Sequence, residues 1–258
     1  MISLGVVAAS TLTIPVRIYQ QKQYLCVDSD YYSGELTDIN QLNCLQRGNP
    51  FNAKYGVGKI YVKSLSNDTG LIFHLPFDDC DLKDISGLKN DPIENNITCV
   101  DTLFGKGIKF NGIDSKLIVN YNPSLDSTRT AISVWLKVDA VSSTQTIIAK
   151  SDYPSSGYFL RIEPGTSNGV RITFFVGDST GSPHEVVADN QDIIGKWTHL
   201  VAVYDGTEQA IWINGKKVSS LSWNGDIGLN TKSLEIGNEY GSNYFNGTID
   251  EIAIYNRG

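Results

Sequence analysis

Charge is scarce in this chain, and no basic stripe is present. Only 19% of the 258 residues are charged, and the balance is −7. Without clustered Lys and Arg there is no counterion-release attraction to phosphate, so nucleic acid is not expected as a partner. The uncharged stretch 1–15 (MISLGVVAASTLTIP) is too short to span a bilayer unaided, and it lacks the basic n-region of a secretory signal. No C-x-x-C occurs, which removes the usual zinc and redox patterns. Histidine is limited to His74, His184 and His199, isolated from one another in sequence, which is not metal-ligand spacing and points to structural or surface roles. Serine-nucleophile and phosphate-loop patterns are missing as well.

Four cysteines are present, as two local pairs, Cys26 with Cys44 and Cys80 with Cys99. Four cysteines allow three connectivities, and pairing within each region is the simplest. Disulfides imply an oxidising compartment, so the expected location is extracellular, at a cell surface, or on a virion or filament. Three N-glycosylation acceptors agree with that location: Asn67, Asn96 and Asn246. Asn122-Pro123-Ser124 is excluded by its proline.

With 41% hydrophobic and 10% aromatic residues, the chain can build a sizeable core. Its C-terminal region, 195–258, alternates apolar and polar residues in short runs separated by turn pairs, the pattern of antiparallel strands. Asp205-Gly206 and Asn214-Gly215 are expected to supply positive φ in tight hairpins. The pieces GKWTHLVAVYDGTEQAIWINGKK, SLEIGNE and YFNGTIDEIAIYNRG, in that order, resemble the closing strands of laminin-G-like, concanavalin A-like lectin/glucanase jelly-roll domains. The resemblance extends upstream through LIFHLPFDDCDLKDISGLKND at 71–91, FGKGIKFNG at 104–112, AISVWLKV at 131–138, TIIAK at 146–150 and YFLRIE at 158–163. It implies an all-β, antiparallel two-sheet jelly-roll sandwich over residues 70–258, with the first and last strands side by side.

Residues 1–69 lie outside the resemblance and read as a separate disulfide-stapled, β-rich or anchoring segment. The polar stretch Ser66-Asn67-Asp68-Thr69-Gly70 is the expected boundary. Leu12, Ile14, Val16 and Ile18 alternate with Thr11, Thr13, Pro15 and Arg17, the period of an extended strand. Such a strand needs a partner, either KIYVK at 59–63 or a neighbouring subunit. Residues 5–20 also resemble the middle of a bacterial pilin N-terminal helix, although the charged opening of that family is missing. On either reading residues 1–20 are a candidate for self-assembly.

The sandwich hosts glycoside hydrolases, which place two carboxylates across a sugar bond, in this fold with an E-x-D-x-x-E spacing. No such spacing occurs, and Asp250 and Glu251 are adjacent, so period 2 sends their side chains to opposite faces. The chain therefore reads as non-enzymatic. By the same period Asp250 shares a face with Ile252 and Ile254 and points inward, where a carboxylate needs a hydrogen-bonding or metal partner. Resemblance to related jelly rolls suggests a structural calcium there. Asp78, Asp79, Asp84 and Asp250 are its candidate ligands, with Asp81 beside them, and loop-capping is the alternative use of these carboxylates.

Lectin sites combine an aromatic platform with polar loop groups, because a sugar has apolar ring faces and dense hydroxyls. Trp223, Tyr240, Tyr244 and Tyr153 sit among turn residues and are the candidate glycan contacts, whereas Trp135, Trp197 and Trp212 lie in strand patterns and read as core. The function expected is adhesion or recognition, through a glycan or surface-protein ligand. A structural subunit of a filament or virion and a glycoside hydrolase are the alternatives.

Overall fold

The structure is a computed structural model of the chain. It describes residues 70–102, 105–167 and 169–258 in full, and the backbone of 18–21, 24–27, 44–46, 51–53 and 56–58. The chain divides into two compact units, residues 1–67 with 103–105, and residues 68–102 with 106–258.

In the first unit β1 (Ile18–Gln21), β2 (Tyr24–Val27) and β3 (Cys44–Gln46) form an antiparallel three-stranded sheet. β4 (Phe51–Ala53) and β5 (Gly56–Gly58) form a separate hairpin. The register of β2 and β3 sets Cys26 opposite Cys44. The expectations placed on residues 1–17, on the stretch 59–63 and on Asn67 fall outside the described residues.

The second unit is the two-sheet sandwich that the resemblance implies. One sheet runs β15 (Pro183–Gln191), β14 (Val170–Gly177), β13 (Ser156–Pro164), β12 (Gln145–Asp152), β19 (Leu234–Ile236), β10 (Lys116–Val119), β7 (Ile93–Asn95). The other runs β18 (Lys216–Ser222), β17 (Glu208–Ile213), β16 (Trp197–Tyr204), β11 (Thr130–Val138), β20 (Asn246–Tyr255), β9 (Gly105–Asn111), β8 (Thr98–Thr102). β6 (Leu71–Leu75) pairs antiparallel with β20, so the opening and closing strands of the sandwich are neighbours.

Alternation dictates which side chains meet between the sheets. Ile132, Val134, Leu136 and Val138 of β11, with Leu200, Ala202 and Tyr204 of β16, face Tyr158, Leu160 and Ile162 of β13 and Ile172, Phe174 and Val176 of β14 in one buried cluster. Each large apolar side chain in it contributes roughly 1.5–3 kcal/mol through loss of water contact. The same alternation corrects the expectation for Trp135 and Trp197, and it sets Trp212 against a second buried cluster, Leu71, Ala131, Val201, Val203, Ala253 and Tyr255. Trp135 lies between Val134 and Leu136, and Trp212 between Ile211 and Ile213, so both rings fall on the outer face of their sheet. Trp197 is likewise out of phase with Leu200, Ala202 and Tyr204, and all three tryptophans are half-buried.

In β20 a local expectation changes because of an extra residue that strict period 2 does not contain. Ser133 pairs with Ala253 but Trp135 pairs with Asp250, so β20 carries a bulge at Glu251, whose φ is +49°. Ile249, Ile252 and Ile254 all enter the core, and Asp250 is therefore on the opposite side of the strand from Ile252 and Ile254. At the hairpins, Asn214 and Gly215 have φ of +49° and +78°, as a two-residue turn requires. At the other hairpin Asp205 N donates to Glu208 O at 3.2 Å, so the two turn residues are Gly206 and Thr207; only Gly206 has positive φ, and the Asp205 carboxylate accepts from the backbone of Thr207 and Glu208.

Cys80 and Cys99 are disulfide-bonded, tying the loop after β6 to the edge strand β8, with 5.7 Å between their Cα atoms. The bridge spans 19 residues, and a closed loop of that length removes about 3 kcal/mol of entropy from the unfolded chain. The double variant Cys80→Ala/Cys99→Ala is expected to lose about 2–4 kcal/mol of stability in urea titration; an unchanged midpoint would contradict the assignment.

Candidate ligand-binding site

At one end of the sandwich the β12–β13 turn, the β14–β15 turn and the connection from β18 to β19 surround an open cleft of about 470 Å³. Its floor is the segment 226–228, which runs across the ends of two strands. Gly157 N donates to Gly228 O at 2.8 Å, Gly228 N to Gly177 O at 2.9 Å, and Ser179 N to Asp226 O at 2.8 Å. Ile227 anchors the segment in the core, 2% exposed. Gly228 is required by closeness of approach: a Cβ there would lie 2.6 Å from the Asp178 carbonyl oxygen and 2.9 Å from Ser156 Cβ.

The wall formed by the β14–β15 turn is organised around the Asp178 carboxylate. Its Oδ1 accepts from Thr180 N at 2.8 Å, Thr180 Oγ1 at 2.7 Å and Ser182 N at 2.9 Å, and its Oδ2 contacts His184 Nε2 at 2.9 Å. Burial pushes the Asp178 carboxyl upward, but the hydrogen bonds from His184, Thr180 and Ser182 outweigh it and hold the group well below the usual carboxylate value. The His184 ring lies flat on Trp223, with centroids 3.8 Å apart, and Trp223 lies flat on Tyr204 at 4.0 Å. Trp223 Nε1 donates to Gln209 Oε1 at 2.9 Å, and the fully buried Gln209 donates from Nε2 to Phe174 O at 2.7 Å.

This corrects the platform role expected of Trp223. Both faces of the indole are covered by other rings, so it shapes the site from behind and offers no free face to a sugar. Tyr153 belongs to the same turn as the cleft residues Ser155 and Ser156 and is 54% exposed. Its ring rests on Phe159 and Phe175, at centroid distances of 5.8 and 5.1 Å. Tyr240 is 40% exposed, but its hydroxyl fills a gap between β12 and β19, accepting from Ser151 N at 2.9 Å and donating to Ser233 O at 3.3 Å. Tyr244 is half-buried in the loop before β20.

The carboxylates expected to hold calcium are arranged differently. Asp84 is buried and accepts from His74 N and Ser86 N on Oδ1, and from Ser86 Oγ and Asn90 N on Oδ2, which is the loop-capping use. Asp250 is buried and accepts from Thr102 Oγ1 at 2.9 Å. Asp78, Asp79 and Asp81 lie in the exposed turn at Cys80. Among the described residues no group of three or more His, Cys, Asp or Glu is placed to share a metal ion.

Of the glycosylation acceptors, Asn96 is exposed, but its amide nitrogen donates to both oxygens of Asp114, at 2.8 and 2.9 Å. Asn246 is half-buried at the start of β20.

Each histidine that looked isolated in sequence meets a polar side chain from elsewhere in the fold: His74 meets Glu251 at 2.8 Å, His199 meets Ser133 at 2.8 Å, and His184 meets Asp178. Glu251 reaches His74 diagonally across the β6–β20 ladder, a pairing of the first and last strands of the sandwich that no local pattern displays. The cleft itself was not legible in sequence. Its one local signal was Asp178-Ser-Thr-Gly, an aspartate two residues before a threonine in a turn, the pattern of a carboxylate that caps its own loop.

A family model described as the concanavalin A-like lectin/glucanases superfamily matches residues 111–258. Among curated proteins none matches the chain. Domain 4 of an extracellular arabinanase from Geobacillus stearothermophilus, solved in complex with arabinotriose, superposes with a TM-score of 0.58 at 24% identity. That match covers 72% of this chain and 92% of the domain. The binding domain of botulinum neurotoxin serotype D superposes with a TM-score of 0.56 at 19% identity, covering 73% of this chain and 48% of that one. The binding domain of botulinum neurotoxin DC, solved with a ligand named SialylT, gives 0.56 at 18%, covering 75% and 49%. The match thus spans about half the length of the toxin domains, and the likeness to all three is one of fold.

Because Asp178 is held ionised by its partners, its stabilisation is fully present above the unfolded carboxylate pKa of about 3.9 and is lost as pH falls through the lower folded value. Asp178→Asn is expected to cost about 1–3 kcal/mol near neutral pH. In thermal unfolding the gap between variant and parent should narrow below about pH 4; no gap at pH 7 would show that the carboxylate does not organise the turn.

Proposed function

The chain belongs to the concanavalin A-like lectin/glucanases superfamily, and from that premise we propose that it is a non-enzymatic recognition protein that binds a glycan in the cleft at the end of its sandwich. The observation that carries the reading is the chemistry of the lining. Thr128, Ser155, Ser156, Ser179 and Thr180 present hydroxyls, Asp178 and Asp226 present acceptors, and Leu229, 57% exposed, presents an apolar edge. A saccharide needs this mixture, donors and acceptors for its hydroxyls with apolar contact for a ring face. The arabinanase domain crystallised with arabinotriose shares the fold and lends the reading support.

The surroundings of the two carboxylates support binding without turnover. A glycosidase needs one carboxylic acid whose proton is retained near neutral pH, together with a second carboxylate across the bond. Asp178 is instead pushed the other way by four contacts, and Asp226 is more than half exposed and paired with Arg129 at 2.5 Å. The Cys80–Cys99 disulfide supports an extracellular location.

A glycan array followed by calorimetry on the best ligand tests the reading. Ser179 is exposed, so Ser179→Trp should fill the cleft without unfolding the domain and weaken binding at least about tenfold with an unchanged melting temperature. Failure to bind any saccharide, or undiminished binding by this variant, would overturn the assignment.

A further inference from the structure

The residues that line the cleft include two carboxylates, Asp178 and Asp226, and no lysine, arginine or histidine. The cations of the surrounding loops are all engaged. Arg129 donates from one nitrogen to Asp226 Oδ1 at 2.5 Å and to Thr128 O at 2.6 Å. Lys232 is paired with Asp152 at 3.3 Å and stands 5.5 Å over the Tyr240 ring. Lys150 is buried, donating to Asp126 Oδ1 at 2.9 Å and Asn230 O at 2.8 Å. An anion entering the cleft would meet two carboxylates, and the nearest guanidinium, Arg129, is already paired with one of them.

We propose that the cleft takes uncharged saccharide units and rejects those that carry a carboxylate or a sulfate. The proposal rests on the glycan reading above and gives it a ligand class. Two features make the selection physical. Serine and threonine hydroxyls both donate and accept, so they match a sugar hydroxyl in either role, and a carboxylate oxygen accepts from a sugar hydroxyl but repels another carboxylate. The site also lies in a concave wall of protein, where like charges a few ångströms apart repel more strongly than in bulk water. The net charge of −7 adds a weaker repulsion of the same sign at longer range. Hydroxyl matching favours neutral and acidic sugars alike, so discrimination falls to the charge term.

The test uses the full chain against pairs that differ by a charged group on the same sugar skeleton: α-1,4-galactotriose and trigalacturonic acid, and lactose and lactose 3′-sulfate, on an array that also carries other neutral and acidic oligosaccharides. At low salt the neutral members are expected to bind at least about tenfold more tightly than their acidic counterparts. The gap should shrink in 0.5 M salt, where screening shortens the reach of the carboxylates to a few ångströms. Asp226→Asn, which removes the charge and keeps an acceptor for Arg129, should narrow the gap between acidic and neutral members. Acidic members binding as well as or better than neutral ones would overturn the charge selection and leave glycan recognition standing. No binding by any saccharide of either class would overturn both.

Discussion

Apolar contact between two sheets holds this sandwich together, and at one end that contact gives way to a bridge of stacked rings. Tyr204 comes from β16 of one sheet and His184 from β15 of the other, with Trp223 between them. Flat stacking at about 4 Å fixes the spacing of the sheets at the rim as the buried isoleucines, valines and phenylalanines fix it in the middle. Gln209 reinforces the bridge, since it touches Trp223 on one side and the backbone of β14 on the other. His184 then passes the constraint to Asp178, and Asp178 to the turn that walls the cleft.

Rigidity behind and openness in front therefore have one origin. The rings are covered because they hold the loops, and the loops are free to present hydroxyls because the rings hold them. Gly228 allows the floor to approach β13 and β14 closely enough for two backbone hydrogen bonds. A preformed, hydroxyl-lined concavity suits a ligand recognised by hydrogen bonds at modest ordering cost. The Asp178 carboxylate acts within it as a structural acceptor that caps its own turn.

The bulge in β20 has a comparable reach on the other sheet. One extra residue lets Ile249 and Ile252 both enter the core and places Asp250 against Thr102, and Glu251 meets His74 diagonally across the ladder to β6. The opening and closing strands are thus joined by a side-chain contact as well as by their ladder. Bulges redirect side chains in this way because a one-residue offset reverses every face beyond it.

Alternating runs, turn pairs such as Asn214-Gly215 and the ordered motifs from 71 to 258 made the strands, the two-sheet sandwich and the family legible in sequence, because hairpins and alternation are local. Local pairing of Cys80 with Cys99 was legible for the same reason. Tertiary structure alone decided which face of β11 and β17 carries tryptophan, where the bulge in β20 falls, and that Trp223 is sandwiched between rings from two sheets. It also decided the cleft, whose walls come from residues 128, 155–156, 178–181 and 226–229. Those residues share no period and no spacing, and they meet only because strands far apart in the chain end at the same rim.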